Sequence, residues 1–126
     1  MVPGFVDLLA NAPVGHLGIY RDMFVNGTVE YCFRIPEVAQ ERGAFVVDPV
    51  IASGQTALAA LDRLHAYGVW PLVLCTIVVS RRAAELLLDK HPDVAIYCAA
   101  VDPELDANGA LRPGLGDASA RLWNTP

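Results

Sequence analysis

The residues best suited to chemistry lie at positions 45–57, Phe-Val-Val-Asp-Pro-Val-Ile-Ala-Ser-Gly-Gln-Thr-Ala. An apolar, β-branched run ends on an acid, Asp48, and a small-residue stretch follows: Ala52, Ser53, Gly54, Gln55 and Thr56. That order predicts a buried strand, a loop and a helix start. The first N–H groups of a helix have no partner within it, and its dipole favours negative charge there, so the loop has the makings of a phosphate cradle. It is not the common P-loop, because no Gly-Lys-Ser/Thr closes a glycine-spaced run. The plainer alternatives are a turn or cap carboxylate at Asp48 and a helix start that holds no ligand.

A second loop, residues 112–119, reads Arg-Pro-Gly-Leu-Gly-Asp-Ala-Ser. Its acid, Asp117, either meets a ligand or bonds the backbone of its own turn. Other chemistry is thin. No Ser/His/Asp arrangement or metal-ligand spacing stands out, so no metal ligands are assigned. His16 is expected to pack inside a strand, and His65 and His91 to be structural. Trp70 and Trp123 are expected in the core or an interface.

The elements that must position these loops follow from hydrophobic spacing. A short helix is expected at 5–10 and a strand at 14–20, whose two glycines suggest close approach of a backbone or ligand. Asn26-Gly27 between two β-rich runs signals a hairpin, an arm over about 22–35. A helical turn at 36–42 precedes a strand at 44–47, apolar enough to be buried on both faces. A helix follows at 56–67, with Leu58, Leu61 and Leu64 near a 3–4 spacing and Gly68 closing it. A strand at 72–79 leads to Ser80, which caps a helix running to Lys90. A last strand is expected at 94–99, then a turn at 102–108. Strand, helix, strand, helix, strand means a parallel sheet with helices on its faces. In such sheets ligands bind beyond the carboxyl ends of the strands, where the Asp48 loop, the turn after Val79 and the turn after Ala99 all fall.

Composition sets the outer limits. The chain has 126 residues, which predicts one α/β domain over 1–126. A net charge of −5 argues against a nucleic-acid backbone binder. Cys32, Cys75 and Cys98 are odd in number and form no Cys-x-x-Cys, as expected in a reducing compartment. With no signal peptide and no apolar run near 18 residues, the expectation is a cytoplasmic protein without membrane contact.

Four blocks in order carry a family resemblance: residues 14–22 (Val-Gly-His-Leu-Gly-Ile-Tyr-Arg-Asp), 46–54 (Val-Val-Asp-Pro-Val-Ile-Ala-Ser-Gly), 91–97 (His-Pro-Asp-Val-Ala-Ile-Tyr) and 113–118 (Pro-Gly-Leu-Gly-Asp-Ala). Together they resemble the C-terminal part of a bacterial-type uracil phosphoribosyltransferase. The resemblance implies a type I phosphoribosyltransferase fold, N-terminally truncated. It implies transfer of phosphoribosyl from phosphoribosyl pyrophosphate (PRPP) to uracil, giving UMP and pyrophosphate in pyrimidine salvage. It assigns Asp48 to the ribose hydroxyls and Ala52, Ser53, Gly54, Gln55 and Thr56 to the 5-phosphate. Leu111, Gly114, Leu115, Gly116 and Asp117 fall at the uracil. Arg21 is matched to a pyrophosphate or partner-subunit contact at the entry to the hairpin arm. Mg²⁺ is implied as a passenger on PRPP, and a homo-oligomer, such as a dimer, or a full-length homologue as partner.

The departures from the family pattern bear on activity. The segment carrying the pyrophosphate loop precedes the point matched to Met1. Ser53 stands for Thr, Gln55 for Gly and Thr56 for Ser. Ala110-Leu111 replaces an aromatic-aliphatic pair, and Ala120 replaces an acid. Val79-Ser80-Arg81-Arg82 stands where Ala-Pro-Glu-Gly is typical. These changes keep two alternatives open: a non-catalytic or regulatory nucleotide- or phosphate-binding homologue, and a phosphoribosyltransferase for another base.

Overall fold

The computed structural model describes the chain apart from Met23, Val25, Asn26 and Pro126. Its sheet is built on β5 (Leu72–Ser80), the apolar run that precedes the Ser80 cap. Along one edge of β5 lie β3 (Ala44–Val47) and then β4 (Val50–Ile51), and along the other lies β6 (Ala95–Asp102), all parallel. Pro49 lies in the break between β3 and β4. Its ring supplies no N–H, but its carbonyl accepts from the Ile77 and Val78 amides, so β5 runs through unbroken.

Two helices bury one face of this sheet. α3 (Gln55–Ala66) contributes Ala57, Leu61 and Leu64, and α4 (Arg81–Lys90) contributes Ala83 and Leu87. They pack with Leu72, Leu74, Val79, Val69 and Val94 as the core. The spacing 57, 61, 64 is one helical stripe. Ser80 caps α4 as the sequence predicts, its Oγ accepting from the Ala83 N–H at 2.9 Å. The opposite face is more open. Phe45, Ile77 and Tyr97 share it by register, and all are exposed. At the β3 end it carries α1 (Val2–Leu8), whose Phe5 ring lies 5.7 Å from that of Phe45. Helices thus flank the sheet, but unequally.

The hairpin is β1 (His16–Asp22) against β2 (Gly27–Arg34), antiparallel, with Asp22 opposite Gly27. The Asn26 half of the expected turn lies outside the described residues. A Cβ on Gly18 would strike the Tyr31 ring, so that glycine makes room for a side chain rather than for a backbone or ligand. The arm is tied to α3 through Arg63, which bonds Glu30 at 2.9 Å and stacks 3.7 Å over the Phe33 ring.

Two expectations need correction. His16 is exposed at the start of β1 rather than packed inside the strand. Trp70 and Trp123 are 46% and 72% exposed, which leaves an interface, not the core, as the expectation for them. β6 runs to Asp102, beyond the expected end, and most of it is exposed because it is the edge strand. His91 does serve structure: it is buried, bonds Asp62 at 2.9 Å and meets the His65 ring edge-on at 4.9 Å. α2 (Ala39–Arg42), the short antiparallel pair β7 (Glu104–Leu105) and β8 (Leu111–Arg112), and α5 (Ala118–Trp123) complete the chain.

Candidate active site at the carboxyl edge of the sheet

Parallel pairing puts the ends of β4, β5 and β6 side by side. Ile51 is level with Val79, and Ser80 with Asp102. The first loop leaves this edge at Ala52 and enters α3 through Gly54, which sits in the left-handed region at φ 80°. Glycine is required there twice over. A side chain is strained at that φ, and a Cβ would lie 3.0 Å from the Cβ of Ala83 on α4. No side chain caps the start of α3, so its first amides are not consumed by a capping side chain. The Ser53 Oγ lies 3.5 Å from the Gln55 N–H, the limit of a hydrogen bond.

Asp48 follows β3. Its own N–H donates to the Cys75 carbonyl, and its Oδ1 accepts from the Val50 N–H at 3.4 Å. Burial pushes its carboxyl above the ordinary value of 3.8, and the bond from Val50 opposes that only in part. Asp48 and Thr56 line one cavity of about 730 Å³, together with Arg42 and apolar residues of α1, β1 and α3.

The second loop hangs from β6. Asp102, only 6% exposed, accepts the Gly114 N–H on Oδ2 at 3.0 Å. Asp106 closes the intervening turn by accepting from the Asn108 and Ala110 amides, both at 2.9 Å. Those bonds, with Ala110 first, hold its carboxyl below the ordinary 3.8. Leu111 is buried, and Leu111, Gly114, Leu115 and Gly116 line a second concavity of about 690 Å³. Asp117 does not line it. Its Oδ1 caps α5 by accepting from the Ala120 N–H at 2.9 Å, the turn role that the sequence left open.

The structure therefore groups Asp48 with Thr56 on one cavity, and Leu111, Gly114, Leu115 and Gly116 on another. Arg21 lines neither; it is exposed on β1 opposite Thr28. Sequence reasoning missed Asp102 as a holder of the second loop, although its signal matched that of Asp48: an acid at the end of an apolar strand. It also read Ser80 only as a cap. The Ser80 Oγ in addition donates to the Ala52 carbonyl at 2.6 Å, holding the first loop.

With this geometry in view, similarity to known proteins decides the family. The family model described as uracil phosphoribosyltransferase matches residues 1–125. The chain belongs to the uracil phosphoribosyltransferase family. It is 42% identical over 125 residues to the uracil phosphoribosyltransferases of Thermosipho africanus and Streptococcus salivarius, covering 99% of this chain and 60% of each relative. That of Rhodococcus jostii is 41% identical over the same length and coverage. Among solved structures, the AQ2163 protein of Aquifex aeolicus superposes with a TM-score of 0.84 at 30% identity, over 98% of this chain and 59% of that one. The chain thus spans about 60% of the length of these relatives. None of its described helices is long and apolar enough to cross a membrane.

Proposed function

We propose that this chain carries the ribose-phosphate and base sites of a uracil phosphoribosyltransferase, taking PRPP and uracil to UMP and pyrophosphate. The observation that supports this most is the pair of backbone loops at neighbouring strand ends, one opening α3 beside Asp48 and one rich in glycine. In this reading the amides of Ser53, Gly54, Gln55 and Thr56 hold the 5-phosphate, with Ala52 setting the loop's start. Asp48 accepts from the ribose hydroxyls and faces the positive charge that grows at C1 as its bond to pyrophosphate breaks. A ring nitrogen of uracil forms the new bond to C1 as the C1–O bond breaks and pyrophosphate leaves with the bonding electron pair, and the nitrogen's proton passes to solvent. Leu111 flanks the base, and Gly114, Leu115, Gly116 and Asp117 read its edge through backbone groups. Arg21 serves the pyrophosphate or a partner subunit.

Mg²⁺ enters as part of the substrate, on the diphosphate, where it keeps water and phosphate oxygens as ligands. Residues 1–126 act as one domain, in a homo-oligomer or with a longer homologue. The exposed Phe45, Ile77, Tyr97 and Val101 supply the apolar surface for such contact.

The test is UMP formation from uracil and Mg·PRPP by the purified chain, with Asp48→Asn as control. Turnover that disappears in the folded variant is expected, and turnover unchanged by the substitution would remove Asp48 from the site. A second reading, a partner-dependent subunit, is favoured by the open sheet face with its exposed Phe45, Ile77 and Tyr97. It predicts UMP formation only when a full-length family member is added.

A further inference from the structure

Two buried polar side chains at the sheet edge each reach out to one of the two loops. Ser80 is 1% exposed and Asp102 is 6% exposed. They are register partners at the ends of β5 and β6, so the sheet fixes their separation. The Ser80 hydroxyl works in both directions, donating to the Ala52 carbonyl at 2.6 Å and accepting from the Ala83 N–H at 2.9 Å. Asp102 accepts from the Gly114 N–H at 3.0 Å, and a Cβ on Gly114 would collide with the same carboxylate oxygen. Burying a carboxylate is costly unless it is bonded. Here the bond goes to the middle of a loop that otherwise has little core beneath it.

We propose that Ser80 and Asp102 are paired positioning residues, a strut that fixes the distance between the phosphate loop and the glycine loop. The strut would set which ligand fits: one whose base and phosphate are held apart by a single pentose. This rests on the reading of the two loops given above. It predicts that loss of the strut harms a ligand spanning both loops more than a ligand that touches only one.

The experiment is UMP and ribose 5-phosphate binding by calorimetry, with the Gly114 amide followed by NMR. In Asp102→Ala the amide should lose its protection from exchange, and UMP affinity should fall about tenfold, the scale of a lost bond to a charged group. Ribose 5-phosphate affinity should stay within about twofold, inside the scatter expected for an independent site. Asp102→Asn keeps an acceptor oxygen and should bind UMP like the parent chain. Ser80→Ala should weaken UMP as well, and combining it with Asp102→Ala should cost less than the sum, because both break one strut. If Asp102→Ala does not fold, Asp102→Ser, whose hydroxyl is too short to reach Gly114, takes its place.

Release of the Gly114 amide with UMP binding unchanged would overturn the strut while leaving the loop reading intact. Equal loss of UMP and ribose 5-phosphate would reduce Asp102 to general structural support and also overturn it. Failure of the parent chain to bind UMP would overturn the loop reading and the strut together.

Discussion

The two candidate loops reach the same sheet edge by opposite means. The first is anchored in the core: Gly54 presses on Ala83, Ala57 is buried one turn into α3, and Ser80 grips the Ala52 carbonyl. The second is suspended. It rests on the buried Leu111, the Asp102 bond to Gly114, the Asp106 turn and the Asp117 cap, and its strands β7 and β8 are two residues each. In the proposed function the first loop holds a phosphate, which calls for rigid, preorganised amides of the kind that core packing supplies, and the second reads a base by its backbone, which a few side chains can hold.

Breaking the first loop should have the largest effects. Asp48→Asn should lower turnover by roughly a hundredfold or more, the scale of removing one group preorganised for transition-state charge. The same change should stabilise the fold at neutral pH. Burial raises the Asp48 pKa, so the folded chain keeps that proton to higher pH than the unfolded one, and stability falls as pH rises above the ordinary 3.8. Thermal unfolding should therefore show a higher Tm for Asp48→Asn at pH 7, and the advantage should vanish below the ordinary carboxylate range. A lower Tm at pH 7 would mean that the carboxylate is structurally favourable. Next in size, Gly54→Ala should cost about 1–2 kcal/mol from its left-handed backbone, with further strain against Ala83, and should weaken phosphate binding. Urea denaturation measures the first and calorimetry with ribose 5-phosphate the second.

The suspended loop should give smaller and more local effects. Asp117→Ala removes the α5 cap and should cost about 1 kcal/mol, felt as faster amide exchange across Ala118–Trp123 and little change in the core. Smallest is the pH response of the Asp106 turn. Its carboxyl is held below 3.8, so its support is complete above that pH and is lost as pH falls through the lower folded value. The Ala110 and Asn108 amides should move together in an NMR titration at acid pH while those of Ser53 and Gly54 stay still. Ala110 and Asn108 amides that stay still through that titration would show that the Asp106 carboxylate does not hold the turn.

The same contrast explains what could be read from the residues alone. Elements whose signal is local were read well: the strand Ala44–Val47, the Ser80 cap with its helix to Lys90, and the long helix to within a residue at each end. The acid at the end of a buried strand was plain at Asp48. The same pattern went unused at Asp102, because an apolar run does not announce that it continues to Asp102 or that a loop 12 residues on will return to it. β4, β7 and β8 are two-residue strands that exist only through their partners, so no window of sequence contains them. His16 is misplaced for a related reason: burial depends on what else packs nearby, and its strand position alone does not carry that.

The most direct test of the account is titration of the ¹⁵N-labelled chain with UMP. If the two loops form one site, the amides of Ser53, Gly54, Gln55 and Thr56 and those of Gly114, Leu115, Gly116 and Asp117 should shift along one binding curve, with a single dissociation constant. Shifts confined to one loop, or none at either, would contradict it.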